Sequence, residues 1–233
     1  MLVLRSTLFL SIQALTAALF GLLSTLLFFL PPVRRNHVIA AWAHFMMALA
    51  RGLVGIRYRV EGRENLPPGP AVILSKHQSA WETIAFQVIF PPVCFVLKRE
   101  LLRIPFFGWG LAMTSPIAID RGAGREALKQ IETQGKTRLH DGLWVVTFPE
   151  GTRVAPGEKG NYQIGGAWLA AKAGAPVVPV AHNAGRFWSR NAFLKRPGEI
   201  VVRIGPAIDV AGKKPGEINA AVEAWIEQAM HDL

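Results

Sequence analysis

One cysteine, Cys94, is all the thiol chemistry this chain carries. An internal disulfide and a cysteine metal cluster are therefore both excluded. Cys94 sits inside the apolar run Val93–Leu97, where a buried core thiol is the expected role. The missing disulfide framework is compatible with a reducing compartment. Charge is scarce as well. Only 18% of the 233 residues are charged against 51% hydrophobic, which is too apolar for a simple soluble protein. Between Ser6 and Val33 there is no charged residue at all. Acidic residues are the scarcer sign, 16 against 26 Lys and Arg, and the formal net charge of +10 favours an anionic partner. That partner is a nucleic acid, a membrane surface or a phosphorylated substrate. The basic residues are scattered rather than blocked and lack interleaved aromatics, which argues against nucleic acid. No spacing matches a zinc site, a P-loop or a dinucleotide fingerprint, and no repeat, low-complexity tract or long linker is present.

What the chain does have begins with its apolar start. Thr7–Leu30 is rich in Leu, Phe, Ala, Thr and Ser, then stops at Pro31-Pro32 and Arg34-Arg35. As a helix it would be about 36 Å long, enough to cross a bilayer core with some tilt. A signal peptide competes, but no small-x-small cleavage site closes the run. A helix that embeds without crossing is a third reading. His37–Ile56 reads as a second helix, with Ile39, Trp42, Ala43, Met46, Leu49, Ala50 and Leu53 at helical spacing. The two suit a membrane-seated hairpin or a helical pair folded onto the rest of the chain. The expected division is 1–56, membrane-anchoring helices, and 57–233, an α/β domain.

After Ile56 the pattern changes. Short apolar runs at 71–74, 93–97, 116–119, 143–148, 176–180 and 200–204 follow a first strand beginning at Arg57. Helical stretches at Ser79–Phe90, Arg125–Leu139, Ile164–Ala173 and Pro215–Met230 lie between most of them. The alternation predicts an α/β fold with a mixed, largely parallel sheet flanked by helices.

The run Pro70–Ser75 delivers His77 to a strand end, and Glu82 follows in H-x4-E spacing. A histidine there can act as general base, with the carboxylate fixing its tautomer and stabilising the imidazolium. The two side chains meet only if His77 precedes the helix and Glu82 lies in its first turn. Ser79-Ala80-Trp81-Glu82 also fits a capping box, which would occupy the carboxylate without catalysis.

Phe148-Pro149-Glu150-Gly151-Thr152-Arg153 follows the strand candidate Leu143–Thr147. Gly151 implies an unusual turn where α/β proteins place ligand groups. Arg153 would project from it and could grip a phosphate bidentately, although an ordinary surface arginine is the default. Glu150 reads more readily as a carboxylate satisfying backbone N–H groups than as an acid catalyst. Lys98 and Arg121 also follow strands, so converging strand ends would build a phosphate pocket around His77. Ile104–Trp109 is too apolar for an ordinary loop and suits either a groove wall or core packing. His182 has no carboxylate partner nearby in sequence and reads as structural.

Together these segments resemble the 1-acylglycerol-3-phosphate acyltransferase family of glycerolipid acyltransferases. The resemblance rests on His77…Glu82, then Lys98 to Pro105-Phe106-Phe107-Gly108, then Phe148–Arg153, then Ala175–Val180, in the family's order over roughly residues 57–205. Glu61–Pro67 resembles the lead-in to the first box. The first box usually ends in Asp, and here it ends in Glu82. The resemblance implies an enzyme acylating the hydroxyl of a lysophospholipid, with His77 and Glu82 catalytic. It also implies that Arg153, Lys98 and Arg121 hold the phosphate, and that Glu150, Gly151 and Thr152 shape the turn. An acyl thioester, acyl-CoA or acyl carrier protein, is the implied co-substrate, with no metal or redox cofactor. Membrane lipids are implied partners, at the cytoplasmic face of the inner membrane. Another acceptor, such as glycerol-3-phosphate or a lyso-aminolipid, and a non-enzymatic membrane-binding protein stay open on the sequence.

Overall fold

The computed structural model describes residues 1–90 and 92–233. In chain order the elements are α1 (Leu2–Ser24), α2 (Pro32–Leu49), β1 (Ile56–Glu61), β2 (Val72–Ser75), α3 (Trp81–Ile89), β3 (Val93–Lys98) and α4 (Phe107–Met113). They continue as β4 (Ile117–Ile119), α5 (Arg125–His140), β5 (Trp144–Thr147), α6 (Gly165–Ala173), β6 (Val177–His182), β7 (Gly198–Ile204) and α7 (Pro215–His231). The strands form one seven-stranded sheet in the order β1-β7-β6-β2-β5-β3-β4. Every neighbouring pair is parallel except β6 and β7. This is the mixed, largely parallel α/β fold that the alternation of runs predicts.

The central strands read as continuous apolar runs because both faces of the sheet are covered. Successive side chains then serve opposite cores. Ile73, Val146 and Val178 pack on one face with Trp81, Phe86 and Met46. Their neighbours Val72, Val145 and Val177 pack on the other with Ile131, Leu169 and Val222. The helices obey the same logic. Ile218, Val222, Ile226 and Ala229 form the buried stripe of α7. Each fully buried aliphatic side chain contributes about 1.5–3 kcal/mol. Gly135 of α5 allows α6 to close in, since a Cβ there would lie 2.5 Å from the Leu169 methyls. Pro179 lacks an N–H, and the β6–β7 ladder begins only at Val180.

The N-terminal helices differ from the expected bounds. The first runs Leu2–Ser24, followed by a tight turn at Thr25–Leu27, rather than Thr7–Leu30. Pro32 does not merely stop it. It opens α2, because proline's fixed φ and missing N–H suit the first helical position. A wider turn at Ala50–Val54 extends α2 to Gly55, whose φ of 74° ends it. Met46, Met47, Ala50 and Val54 join the same core as α3 and β1.

The segment Ile104–Trp109, read as a groove wall or core packing, runs into a helix, and its Ile104, Phe106, Phe107 and Trp109 are exposed rather than packed in the core. Phe106 sits at φ 62°, and α4 begins one residue later. Gly21 of α1 meets this segment at close range, where a Cβ would fall 2.3 Å from the Phe106 carbonyl oxygen. Cys94 is buried as expected, and burial pushes its thiol up to about 12.

Candidate active site

His77 follows β2 by two residues and Glu82 is the second residue of α3, which is the geometry the spacing demands. His77 Nδ1 lies 2.8 Å from Glu82 Oε1. The same oxygen accepts the backbone N–H groups of Ser79 at 2.7 Å and Gln78 at 2.9 Å. The catalytic and capping readings are therefore not exclusive. One carboxylate oxygen closes the helix start and takes the imidazole N–H. Burial by itself raises the Glu82 pKa. The neighbouring His182 and His77 rings and the Ser79 N–H outweigh it and hold the carboxyl below its usual value. An ionised carboxylate only accepts, so Nδ1 carries the hydrogen and Nε2 is left for a substrate proton. The ring stacks on Phe148 with centroids 3.9 Å apart, which fixes its plane.

The turn after β5 clamps the main chain of His77. The His77 N–H donates to Glu150 Oε2 at 3.0 Å, and the Val154 N–H donates to the His77 carbonyl at 2.8 Å. Gly151, at φ 67°, lets the chain turn between them. Glu150 Oε1 accepts the Gly160 N–H at 3.1 Å and pairs with Lys76 Nζ at 2.7 Å. Glu150 thus bonds the main chain at His77 and Gly160 and the Lys76 ammonium. The buried Lys76 ammonium also meets Glu227 Oε1 of α7 at 3.0 Å, and the Tyr162 hydroxyl donates to that oxygen at 2.7 Å. The pairing compensates a charge that would otherwise be costly to bury. Lys76 carried no sequence signal beyond its place beside His77.

His182 is fully buried 4.0 Å from Glu82 Oε1. Its Nδ1 accepts the Ala184 N–H at 3.3 Å, so its Nε2–H donates to the Lys76 carbonyl at 2.9 Å. Burial lowers its pKa despite the opposing Glu82 charge, so the ring is neutral near pH 7. The structural role read from sequence stands. Its carboxylate neighbour lies in space, beyond the end of the adjacent strand β2, where sequence proximity does not reveal it.

A cavity of about 880 Å³ opens beside His77. Lys98, Arg121, Thr152 and Arg153 all border it, so the strand ends converge as the sequence reading required. Arg121 also donates to the Gly151 carbonyl. Arg190, which no motif marked, borders the same cavity. Much of the remaining wall is apolar, although Gln13, Thr83 and Gln87 also border it. Leu10, Ala17 and Phe20 of α1, Trp42 of α2, Ile84 of α3 and Leu111 of α4 supply the apolar part. An imidazole, basic side chains and apolar side chains around one cavity fit an amphiphile that carries an anionic head and a nucleophilic hydroxyl.

A family model described as Acyltransferase matches residues 57–183, which places the chain among the acyltransferases. The chain is 46% identical to a Pseudomonas aeruginosa protein named 1-acyl-sn-glycerol-3-phosphate acyltransferase, over 96% of this chain and 93% of that one. It is 30% identical to the mouse 1-acyl-sn-glycerol-3-phosphate acyltransferase alpha, over 75% of this chain and 63% of that longer one. The chain belongs to the 1-acylglycerol-3-phosphate acyltransferase family. Its fold is that of the 1-acyl-sn-glycerophosphate acyltransferase from Thermotoga maritima, with a TM-score of 0.80 at 21% identity, over 99% of this chain and 95% of that one.

Proposed function

We propose that this enzyme transfers an acyl chain from a thioester to the free hydroxyl of 1-acylglycerol-3-phosphate, forming phosphatidic acid. The observation that carries the reading is the amphipathic cavity, lined both by His77 with Lys98, Arg121 and Arg153 and by apolar side chains of α1 to α4. His77 Nε2 takes the hydroxyl proton as the oxygen attacks the thioester carbonyl carbon. Glu82 holds the ring and stabilises the imidazolium. The tetrahedral intermediate collapses, the C–S bond breaks, and the departing sulfur takes the proton back from His77. Arg153, Lys98 and Arg121 hold the acceptor phosphate as charged donors. Glu150, Gly151 and Thr152 shape the turn that presents Arg153. The thioester, carried by coenzyme A or an acyl carrier protein, supplies the driving force, so the scheme uses no resident metal or redox cofactor.

The exposed side chains of α1 and its neighbours support a membrane seat. Leu4, Leu8, Leu15, Leu19, Leu22 and Leu26 are exposed, as are Ile104, Phe106 and Trp109 beside them. An apolar face of that extent marks a membrane contact. Ser6 Oγ accepts the Lys195 N–H at 3.0 Å, Phe9 packs edge-on against Trp188, and Gly21 abuts α4. A helix tied to its domain along its length lies in one leaflet rather than crossing the bilayer. Residues 1–56 act as the anchor, and the domain from residue 57 faces the cytoplasm, where the net charge of +10 meets an anionic leaflet.

The test is a donor-by-acceptor matrix on purified protein in lipid, with products identified by mass. Acyl-CoA and acyl carrier protein are each paired with lysophosphatidic acid, glycerol-3-phosphate and a lyso-aminolipid. Preferred turnover of another acceptor would overturn the assignment. Absence of any thiol release would leave a binding protein instead.

A further inference from the structure

Arg190 reaches the turn after β5 from a segment outside every motif. It lies in the connection between β6 and β7, and its Nη1 donates to the Arg153 carbonyl at 3.1 Å. Arg121 grips the same turn from the other flank through the Gly151 carbonyl. The sheet order produces this arrangement. With β2 on one side of β5 and β3 on the other, the β4 end and the β6–β7 connection approach from opposite sides. Arg121, Arg153 and Arg190 all border the cavity that holds His77.

The β6–β7 connection is held at several points. The Gly185 N–H donates to Gln78 Oε1, on the residue after His77, at 3.1 Å. A Cβ at Gly185 would lie 2.9 Å from the Gln78 Cβ, so glycine permits this approach. Ser189 Oγ donates to the Gly185 carbonyl at 2.7 Å, and Trp188 packs on Phe9 of α1. Asn191 takes φ 55°, in the left-handed region that Asn tolerates better than most residues. Arg190 is therefore presented by a fixed loop.

Arg153 and Arg190 border one cavity from adjoining segments, so an anion seated there would meet both positive charges. Arg190 spends one donor on the Arg153 carbonyl, and a guanidinium carries more in the same plane. Arg153 Nε is buried and has no hydrogen-bond partner among the described residues. We propose that Arg190 is a further binding residue for the acceptor, closing with Arg153 into a two-arginine clamp on its phosphate monoester. The proposal rests on the reading that the acceptor carries such a phosphate. A dianionic monoester suits two planar forks because its terminal oxygens can accept from both.

The experiment uses full-length enzyme in mixed micelles. Steady-state constants are measured for lysophosphatidic acid and for monoacylglycerol, which lacks the phosphate, at a fixed thioester concentration. The variants are Arg190→Ala, Arg190→Gln and Arg190→Lys, with Arg186→Ala as a control from the same loop but outside the cavity. Arg190→Ala is expected to raise KM for lysophosphatidic acid about ten- to a hundredfold. The change in kcat should be smaller, and the loss on monoacylglycerol smaller again. Lys should restore part of the affinity, and Arg186→Ala should match the native enzyme. If Arg190→Ala does not fold, Arg190→Gln decides, since it keeps a polar side chain of intermediate length while losing the charge. An unmoved KM, or equal losses on both acceptors, would reduce Arg190 to a loop tie and overturn the clamp alone. Equal use of both acceptors by the native enzyme would overturn the acceptor assignment and the clamp with it.

Discussion

The main-chain N–H of His77 donates to the Glu150 carboxylate oxygen Oε2 at 3.0 Å, joining the His77–Glu82 segment to the turn after β5. Glu150 is buried, and its other oxygen is already shared by Lys76 and Gly160. Its carboxylate is directed at the scaffold, not the cavity. Glu150→Gln should therefore lower both thermal stability and kcat, with acceptor KM changing least. Removing one charge leaves the Lys76 ammonium with Glu227 as its carboxylate partner, so the loss should stay below the roughly 3–5 kcal/mol of a buried charge left without any. A change confined to acceptor KM would instead make Glu150 a substrate ligand.

His77→Ala should cut turnover by at least about 10²–10⁴-fold, the usual worth of a general base. The fold should persist, because His77 is held through its main chain. Circular dichroism and liposome flotation check the fold and the membrane seat beside the activity assay. Near-normal turnover in a folded sample would remove the base from the mechanism.

Glu82 divides into two measurable parts. Glu82→Gln can keep an oxygen facing Ser79, Gln78 and His77, so the helix start should survive with a modest loss of melting temperature. The imidazolium would lose its counter-charge, and kcat should fall steeply. Glu82→Asp shortens the reach by about 1.5 Å from a helix position fixed by capping. It should keep measurable but reduced activity. Full turnover in the Gln variant would leave Glu82 as a cap only.

The buried His182 makes stability depend on pH with a definite sign. Its folded pKa lies below its ordinary value of 6.5, chiefly through burial. The unfolded chain then binds the extra proton first as pH falls. The stabilisation is complete above about 6.5 and is lost as pH drops through the folded value. Melting temperature of the native protein should decline in that range. His182→Gln, which keeps a donor for the Lys76 carbonyl, should flatten the decline. A native curve that stays flat below 6.5, or a Gln variant with the same slope, would contradict the assignment.

Truncation of residues 1–35 should release much of the protein from liposomes. Residual binding should weaken with salt, as expected of charge attraction to lipid. Because Leu10, Ala17 and Phe20 form part of the cavity wall, turnover should fall on a short-chain soluble acceptor as well as on bilayer substrate. Full flotation at high salt with full bilayer activity would show that α1 is not the anchor. Unchanged turnover on the soluble acceptor would show that its wall is dispensable for the chemistry.

Much of this molecule was written locally. Strand runs such as Val72–Ser75 and helix periodicity such as Ile218, Val222 and Ile226 report burial directly, so the α/β layering is legible residue by residue. The His77–Glu82 pair is local too, because a strand end and one helical turn fix their separation. Pro31-Pro32 was legible only in part, since proline stops one helix and starts the next by the same restraint on φ. The helix from Phe107 was masked by glycines and aromatics, which propensity alone assigns to a loop or a core.

Other features had no local trace. His182 lies beside Glu82, Lys76 reaches Glu227, and Arg190 reaches Arg153 across separations of 100, 151 and 37 positions. These meetings follow from strand order and from the antiparallel pairing of β6 with β7, which folds the loop between them back toward the site. The sequence by itself determined which groups could do chemistry and the secondary structure that carries them. Only the tertiary structure decided which distant groups face one cavity. Side-chain periodicity reports burial within an element, whereas the packing of whole elements sets the distances between charges.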